Sequence, residues 1–183
     1  MNREEAYKLL KEYNKNPNLI KHGLAVEAVM RWYAEKFGED EEKWTVTGLL
    51  HDFDYEIHPQ APDHPLKGAE ILREKGCPDD IIEAILGHAD YSGVPRLTKM
   101  SKTLFASDEL AGFIIAVALV RPSKKLSEVT PESVKKKLKD KAFARQVRRE
   151  DIIKGAEEIE VSMDEHIKNC ILALQSVSEE LGL

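Results

Sequence analysis

Apolar side chains recur three and four positions apart along most of this chain, the spacing that turns one face of an α-helix toward a core. Residues 3–13 place Ala6, Leu9, Leu10 and Tyr13 on one face behind Asn2, a favoured capping residue. Asn14-Lys-Asn-Pro17 closes that helix. From about Asn18 to Phe37, His22, Val26, Val29 and Tyr33 share a face, so a histidine falls on the buried side, and Gly38 ends the run. A third helix from about Asp40 carries Trp44, Val46, Leu49 and Leu50 into His51-Asp52. After the Pro-rich stretch Ile57 to Pro65, a helix is expected over 65–75, with Asp63 as its cap and Pro65 in its first turn. The next, about 79–88, turns Ile81, Ile82, Ile85 and Leu86 inward and ends at His88. Tyr91-Ser-Gly-Val-Pro-Arg96 reads as a loop. Ser101 is then placed as the cap of a long helix reaching about Val120, with Asp108 among apolar neighbours. Shorter helices are expected over 131–138, 141–146, 149–159 and 163–181, the last opened by Ser162 or Asp164. No β-alternation or internal repeat interrupts the pattern, which predicts an all-α bundle.

At 183 residues the chain is expected to form one globular domain, with a core over about 18–120 and a C-terminal helical extension over about 121–183. The formal net charge of -6 argues against general attraction to nucleic acid, so no stable nucleic-acid partner is expected. That charge is unevenly spread. Residues 1–120 hold 14 basic and 21 acidic side chains, whereas 121–150 hold 11 and 4, so one segment is equipped to face an anion. Cys77 and Cys170 are far apart and in no paired ligand spacing, which argues against a disulfide framework or a thiolate zinc site and fits a reducing cytoplasm. The longest apolar run, Ala111 to Val120 apart from Gly112, is too short to span a bilayer, so neither a membrane partner nor export is expected.

Gly48-Leu-Leu-His51-Asp52 holds the chemistry. An apolar run ending in adjacent His and Asp sets two metal-ligand types at the end of a buried element, where an unpaired carboxylate is costly. A cation would satisfy it, as would a plain His–Asp hydrogen bond at a helix end. His22, His51, Asp52, His64, His88 and Asp108 each fall at the end or on the apolar face of a helical element. Inward-facing side chains of different helices build the sites of helical bundles.

In that order, these residues resemble the HD superfamily of metal-dependent phosphohydrolases. His64-Pro-Leu-Lys-Gly-Ala-Glu-Ile-Leu72 is similar to the third-motif segment of HDIG-type and HD-GYP-type members, and Gly87-His-Ala-Asp-Tyr-Ser-Gly-Val-Pro95 to the histidine loop that follows it. Ser133 to Ala144 resembles a segment of small HD-superfamily hydrolases. The resemblance implies a first metal site of His22, His51, Asp52 and Asp108, and a second of His64 and His88 with Asp52 bridging. Two departures stand out. Phe53-Asp-Tyr-Glu56 replaces an Ile-Gly that is often followed by Lys, and His88-Ala89 replaces paired histidines, so one ligand of the second ion is missing or supplied by water.

Nitrogen and carboxylate ligands without thiolates suit one or two divalent transition ions among Fe, Mn, Ni, Co and Zn. Two such ions roughly 3.5–4 Å apart would bind a phosphate oxygen and hold a hydroxide, making hydrolysis of a nucleotide or other small phosphoester the natural reaction. Asp52 and Asp54 are the candidate catalytic acids. Asp54 either accepts a hydrogen bond from a ligand histidine, takes a proton, or is a solvated loop acid. Lys67, Arg96 and Lys99 lie near the ligands in sequence and are candidates for holding phosphate, although exposed surface charge is their ordinary role. His58 and His166 match no motif and are expected to face solvent. The run Lys135 to Lys141 reads as a solvated helix face that doubles as a candidate for anion steering. Two alternatives share the pocket: a mixed-valence diiron oxygenase of the same superfamily, told apart by two irons and reaction with oxygen, and a non-catalytic nucleotide sensor, told apart by binding without product.

Overall fold

The structure, a computed structural model, describes all residues from Met1 to Leu183. It contains helices and turns and no strand. In order these are α1 (Arg3–Tyr13), α2 (Pro17–Phe37), α3 (Glu41–Leu50), α4 (Asp63–Glu74), α5 (Asp79–Gly87), α6 (Lys99–Leu119), α7 (Pro131–Leu138), α8 (Arg149–Glu158), α9 (Met163–Gln175) and α10 (Ser178–Leu181). None is long and apolar enough to cross a membrane. The all-α expectation holds.

Local chemistry starts and stops these helices. Asn2 accepts from the Glu5 amide at 2.9 Å while Glu5 accepts from the Asn2 amide, a reciprocal cap for α1. Asn16 caps α2 just ahead of Pro17, and Gly38 ends it with φ +67°, a left-handed conformation that glycine adopts without strain. Asp40 accepts from the Lys43 amide to open α3. Helices α2 and α3 then pack at close range because each sets a glycine against the backbone of the other. A β-carbon at Gly48 would lie 2.9 Å from the Val26 carbonyl oxygen, and one at Gly23 would lie 3.0 Å from that of Leu49. This approach brings His22 on α2 beside His51 at the end of α3.

Helix α6, 21 residues long and largely apolar beyond Asp108, runs through the middle and packs on α2, α5, α8 and α9. Leu104, Leu110, Phe113 and Ile114 have no exposed surface, and each such side chain contributes on the order of 1.5–3 kcal/mol by leaving water. Trp44 and Leu49 of α3 and Ile81 and Ile85 of α5 complete the core around the ligand-bearing helix ends.

Several expectations need correction. Thr98, not Ser101, caps α6: its hydroxyl accepts from the Ser101 amide at 3.1 Å, and Ser101 reaches back as the partner of that cap. Asp63 makes no capping bond, and His64 is extended (ψ 136°) because a residue before proline avoids helical geometry, so the regular turns begin at Pro65. Residues 141–146 form turns instead of a helix, with Ala144 at φ +43°. The last expected helix divides into α9, capped by Ser162, and α10.

The largest departure is His166, expected at the surface and found with no exposed area. Its Nε2–H donates to the Ala106 carbonyl at 2.9 Å, which leaves Nδ1 to accept from the Tyr33 hydroxyl at 2.6 Å. Asn169 donates to the same hydroxyl. The imidazole thus satisfies polar groups between α2, α6 and α9, and burial pushes its pKa down to about 4.

Candidate metal centre

Six side chains from five helical segments meet in one place. His22 Nε2 lies 3.2 Å from His51 Nε2 and 2.9 Å from Asp108 Oδ1, and His51 Nε2 lies 3.4 Å from the same oxygen. Asp52 Oδ2 faces this group, 3.5 Å from His51 Nε2 and 3.7 Å from His22 Nε2. Its other oxygen, Oδ1, faces a second group, 3.2 Å from His64 Nε2 and 3.4 Å from His88 Nε2. Within each group the donor atoms lie within 4.8 Å of one another. Asp52 belongs to both groups, through different oxygens.

The hydrogen bonds behind these imidazoles fix which nitrogen is free. His51 Nδ1 donates to the Gly48 carbonyl at 2.8 Å, and His88 Nδ1 donates to the Ile85 carbonyl, so each ring is held by the last turn of the helix it terminates. His64 Nδ1 donates to Asp54 Oδ1 at 2.9 Å. With Nδ1 protonated, each neutral ring turns a bare Nε2 lone pair inward. His64 and His88 then set two such lone pairs 3.3 Å apart, an arrangement that repels unless a proton or a metal cation lies between them. Electrostatics agree. Burial opposes charge on His64, yet Asp52 and Asp54 outweigh it and raise the pKa to about 9. Burial likewise favours neutral Asp52 and Asp108, but the surrounding histidines draw both carboxyls below the ordinary range. The site therefore attracts positive charge, and its nitrogen and carboxylate donors fit a divalent transition ion.

Comparison with known proteins agrees with this donor set: the HD domain profile matches residues 19–179. The chain belongs to the HD-domain family. Among curated relatives, Ribonuclease Y of Nitratidesulfovibrio vulgaris (strain DP4) is 33% identical over 96 residues, which cover 52% of this chain and 18% of that protein. Ribonuclease Y of Oleidesulfovibrio alaskensis and of Lawsonia intracellularis are each 30% identical over stretches of the same coverage. The similarity therefore takes in about half of this chain and less than a fifth of those relatives. No solved structure matches.

The HD centre opens into a cavity of about 300 Å³. His22, Asp52, His64, His88 and Asp108 form its floor, while Tyr55, Tyr91, Phe105, Glu109, Val147, Arg148 and Asp151 stand around it. Burial, reinforced by Asp108, pushes the Glu109 carboxyl up to about 7, and burial raises Asp151 as well. Val147, Arg148 and Asp151 come from the C-terminal extension, outside the segment of about 18–120 expected to hold the site.

The three cations expected to hold phosphate do not line this cavity. Lys67 pairs with Glu70 at 3.0 Å and Lys99 with Glu39 at 3.3 Å, both on the surface. Arg96 is spent on structure: two bonds of 2.8 Å to Glu158, one of 2.6 Å to Asp90 and one of 2.8 Å to the Gly87 carbonyl, with its guanidinium stacked on Phe105. Arg148 is the one Lys or Arg in the cavity wall. Its signal in the sequence was the excess of basic residues over 121–150. The stretch singled out there, Lys135 to Lys141, instead supplies surface pairs such as Lys135–Asp164 and Lys137–Asp140.

Of the three roles expected for Asp54, the geometry matches the first, a hydrogen bond accepted from one of the histidines. Asp54 is 1% exposed and absent from the cavity wall; one oxygen accepts from His64 Nδ1 and the other from the Gly68 amide at 3.0 Å. Its place is behind His64. Gly68 is required there, because a β-carbon would lie 2.6 Å from the Asp54 carboxyl carbon.

Proposed function

We propose that this HD-domain chain is a metal-dependent phosphohydrolase acting on a nucleotide or other small phosphoester. The observation that carries the reading is the pair of donor groups sharing Asp52 at the floor of a cavity of about 300 Å³, a volume at the small end of ligand sites. His22, His51, Asp52 and Asp108 would hold one ion, and Asp52, His64 and His88 the other, drawn from Fe, Mn, Co, Ni or Zn. When bound, such ions supply Lewis acidity and a water acidified enough to attack a phosphorus centre at neutral pH.

The chain's own part is orientation. The Gly48 and Ile85 carbonyls and the Asp54 carboxylate hold three imidazoles with Nε2 inward, so little freedom is lost on coordination. Phe105 and Val147 add apolar surface to the cavity lining, and Tyr55 and Tyr91, both partly exposed, would offer their rings and hydroxyls to the organic part of a substrate. The relatives named Ribonuclease Y make an RNA phosphodiester the competing substrate. Glu109, Asp151 and a net charge of -6 weigh against a long polyanion and toward a small one. The segments on either side of position 120 are proposed to act as one domain, since both line the cavity. Free, buried Cys77 and Cys170 fit a reducing cytoplasm.

Metal analysis of anaerobically purified protein, followed by phosphate-release assays, tests the reading. The panel holds nucleoside monophosphates, simple phosphomonoesters and a short RNA, each with Mn, Co, Ni and Fe. Phosphate release from a small ester by metal-loaded protein is expected, with RNA cleaved slowly or not at all. Protein that takes up no divalent ion, or that is loaded and inert toward the whole panel, refutes it.

A further inference from the structure

The segment between α7 and α8 has no helix of its own, yet it delivers Val147 and Arg148 to the cavity. A single side chain organises it. Arg149 donates to the backbone carbonyls of Leu138 at 3.1 Å, Asp140 at 3.0 Å, Ala144 at 3.3 Å, Val147 at 3.1 Å and, most closely, Phe143. The guanidinium sits over the fully buried ring of Phe113 on α6, and Phe143 packs edge-on against that ring. The loop is thereby tied to the helix that carries Asp108. The next residue back, Arg148, points the other way. Its side chain is 59% exposed, lines the cavity and pairs with Asp151 at 3.0 Å.

We propose that Arg148 is the anion-binding arm of the substrate pocket and that Arg149 positions it by gathering the carbonyls of the loop over 138–147. This rests on the phosphohydrolase reading above and assigns its substrate contact. A phosphoryl group has oxygens beyond those that metal ions on the cavity floor would take, and a guanidinium binds two phosphoryl oxygens in one plane. Lys67, Arg96 and Lys99 are engaged elsewhere, which leaves Arg148. Its pair with Asp151 holds the guanidinium at the cavity wall before substrate arrives. An arginine on an untethered loop would lose chain freedom at every binding event; the five carbonyl bonds of Arg149 order the loop in advance. The substrate class that fits is a compact phosphomonoester, its phosphoryl group between the metal floor and Arg148.

The test uses the full-length, metal-loaded protein with inorganic phosphate as the binding probe and the phosphomonoester turned over best as substrate. In Arg148→Ala, the phosphate Kd and the KM are expected to rise at least about tenfold, the loss of one charged hydrogen-bonded contact, with metal content unchanged. Arg148→Lys recovers part of the loss. Arg149→Met is expected to raise KM similarly with Arg148 still in place, and to speed tryptic cleavage at Lys139, Lys141 and Arg145. A role in general stability alone would instead lower metal content and kcat together. Unchanged phosphate affinity in Arg148→Ala overturns the arm, and unchanged KM and proteolysis in Arg149→Met overturn the positioning role. Wild-type protein that takes up no metal overturns the phosphohydrolase reading and this inference with it, an outcome distinct from a loaded, active protein indifferent to Arg148.

Discussion

Replacing Asp54 by Asn separates the two halves of the centre. Asp54 is enclosed, and its two oxygens accept from two donors, His64 Nδ1–H and the Gly68 amide. Asparagine keeps the shape but offers only one acceptor, so its NH2 must face one of those donors with no water to intervene. The bond lost is charge-assisted and buried, worth about 1.5–3 kcal/mol. At 1.4 kcal/mol per decade that is about ten- to 150-fold, in line with the ten- to 100-fold seen when such supporting partners are removed. The penalty falls on the ion held by His64, His88 and Asp52. The other group depends on the Gly48 carbonyl behind His51 and keeps its support. Titrating metal-free protein with Co or Mn by calorimetry is therefore expected to show two sites in the wild type, and in Asp54→Asn one site of unchanged affinity and one weakened ten- to 150-fold. Gly68→Ala should reproduce this asymmetry without altering any charge, because its β-carbon occupies the Asp54 position. Two sites of wild-type affinity in Asp54→Asn, or equal weakening of both, would refute the assignment of Asp54 to His64.

Other perturbations reach different parts of the structure. Asp52→Ala is expected to lose both ions and all turnover together, since both groups share that carboxylate; full metal content by elemental analysis would contradict it. His166 is held neutral, with a pKa of about 4 against about 6.5 when unfolded. Below pH 6.5 the unfolded chain takes up a proton that the folded chain refuses, so this contribution is whole above pH 6.5 and is lost as pH falls toward 4. The loss comes to about 3 kcal/mol. Urea unfolding of His166→Gln at pH 7 and 4.5 should accordingly show a smaller drop than the wild type, and parallel drops would count against the buried neutral imidazole. Gly155→Ala would set a β-carbon 2.5 Å from the Ala106 α-carbon, where α8 crosses α6. Its overpacking cost of about 1–3 kcal/mol should exceed the ~1 kcal/mol of helix propensity gained, so a lower urea midpoint is expected and a higher one would be contrary.

The candidate donors were legible because helical periodicity and donor chemistry are local properties. His22 shares a face with Val26 and Val29, and His51-Asp52 ends an apolar run; those facts need only the spacing of neighbours along one chain segment. The supporting contacts were not legible. Nothing near Arg96 in sequence says that Glu158, folded over from α8, will take its guanidinium, or that Phe105 will lie beneath it. For Asp54 the sequence leaves three roles open, and only the fold selects the bond from His64 and adds the Gly68 amide on the second oxygen.

By itself, then, the sequence determined the helical class, most helix boundaries, with Asn2 as a cap, Asp40 as a start and Gly38 as a stop, and the six candidate donors. Only the tertiary structure decided that Asp52 faces both groups with different oxygens, that His166 is interior, and that the cation in the cavity wall is Arg148. The physical reason is the range of the forces involved. A capping bond or an apolar stripe is settled within a turn or two of helix. Which buried charge meets which partner depends on how closely helices pack, and here that was set by glycines at the crossings of α2 with α3 and of α6 with α8.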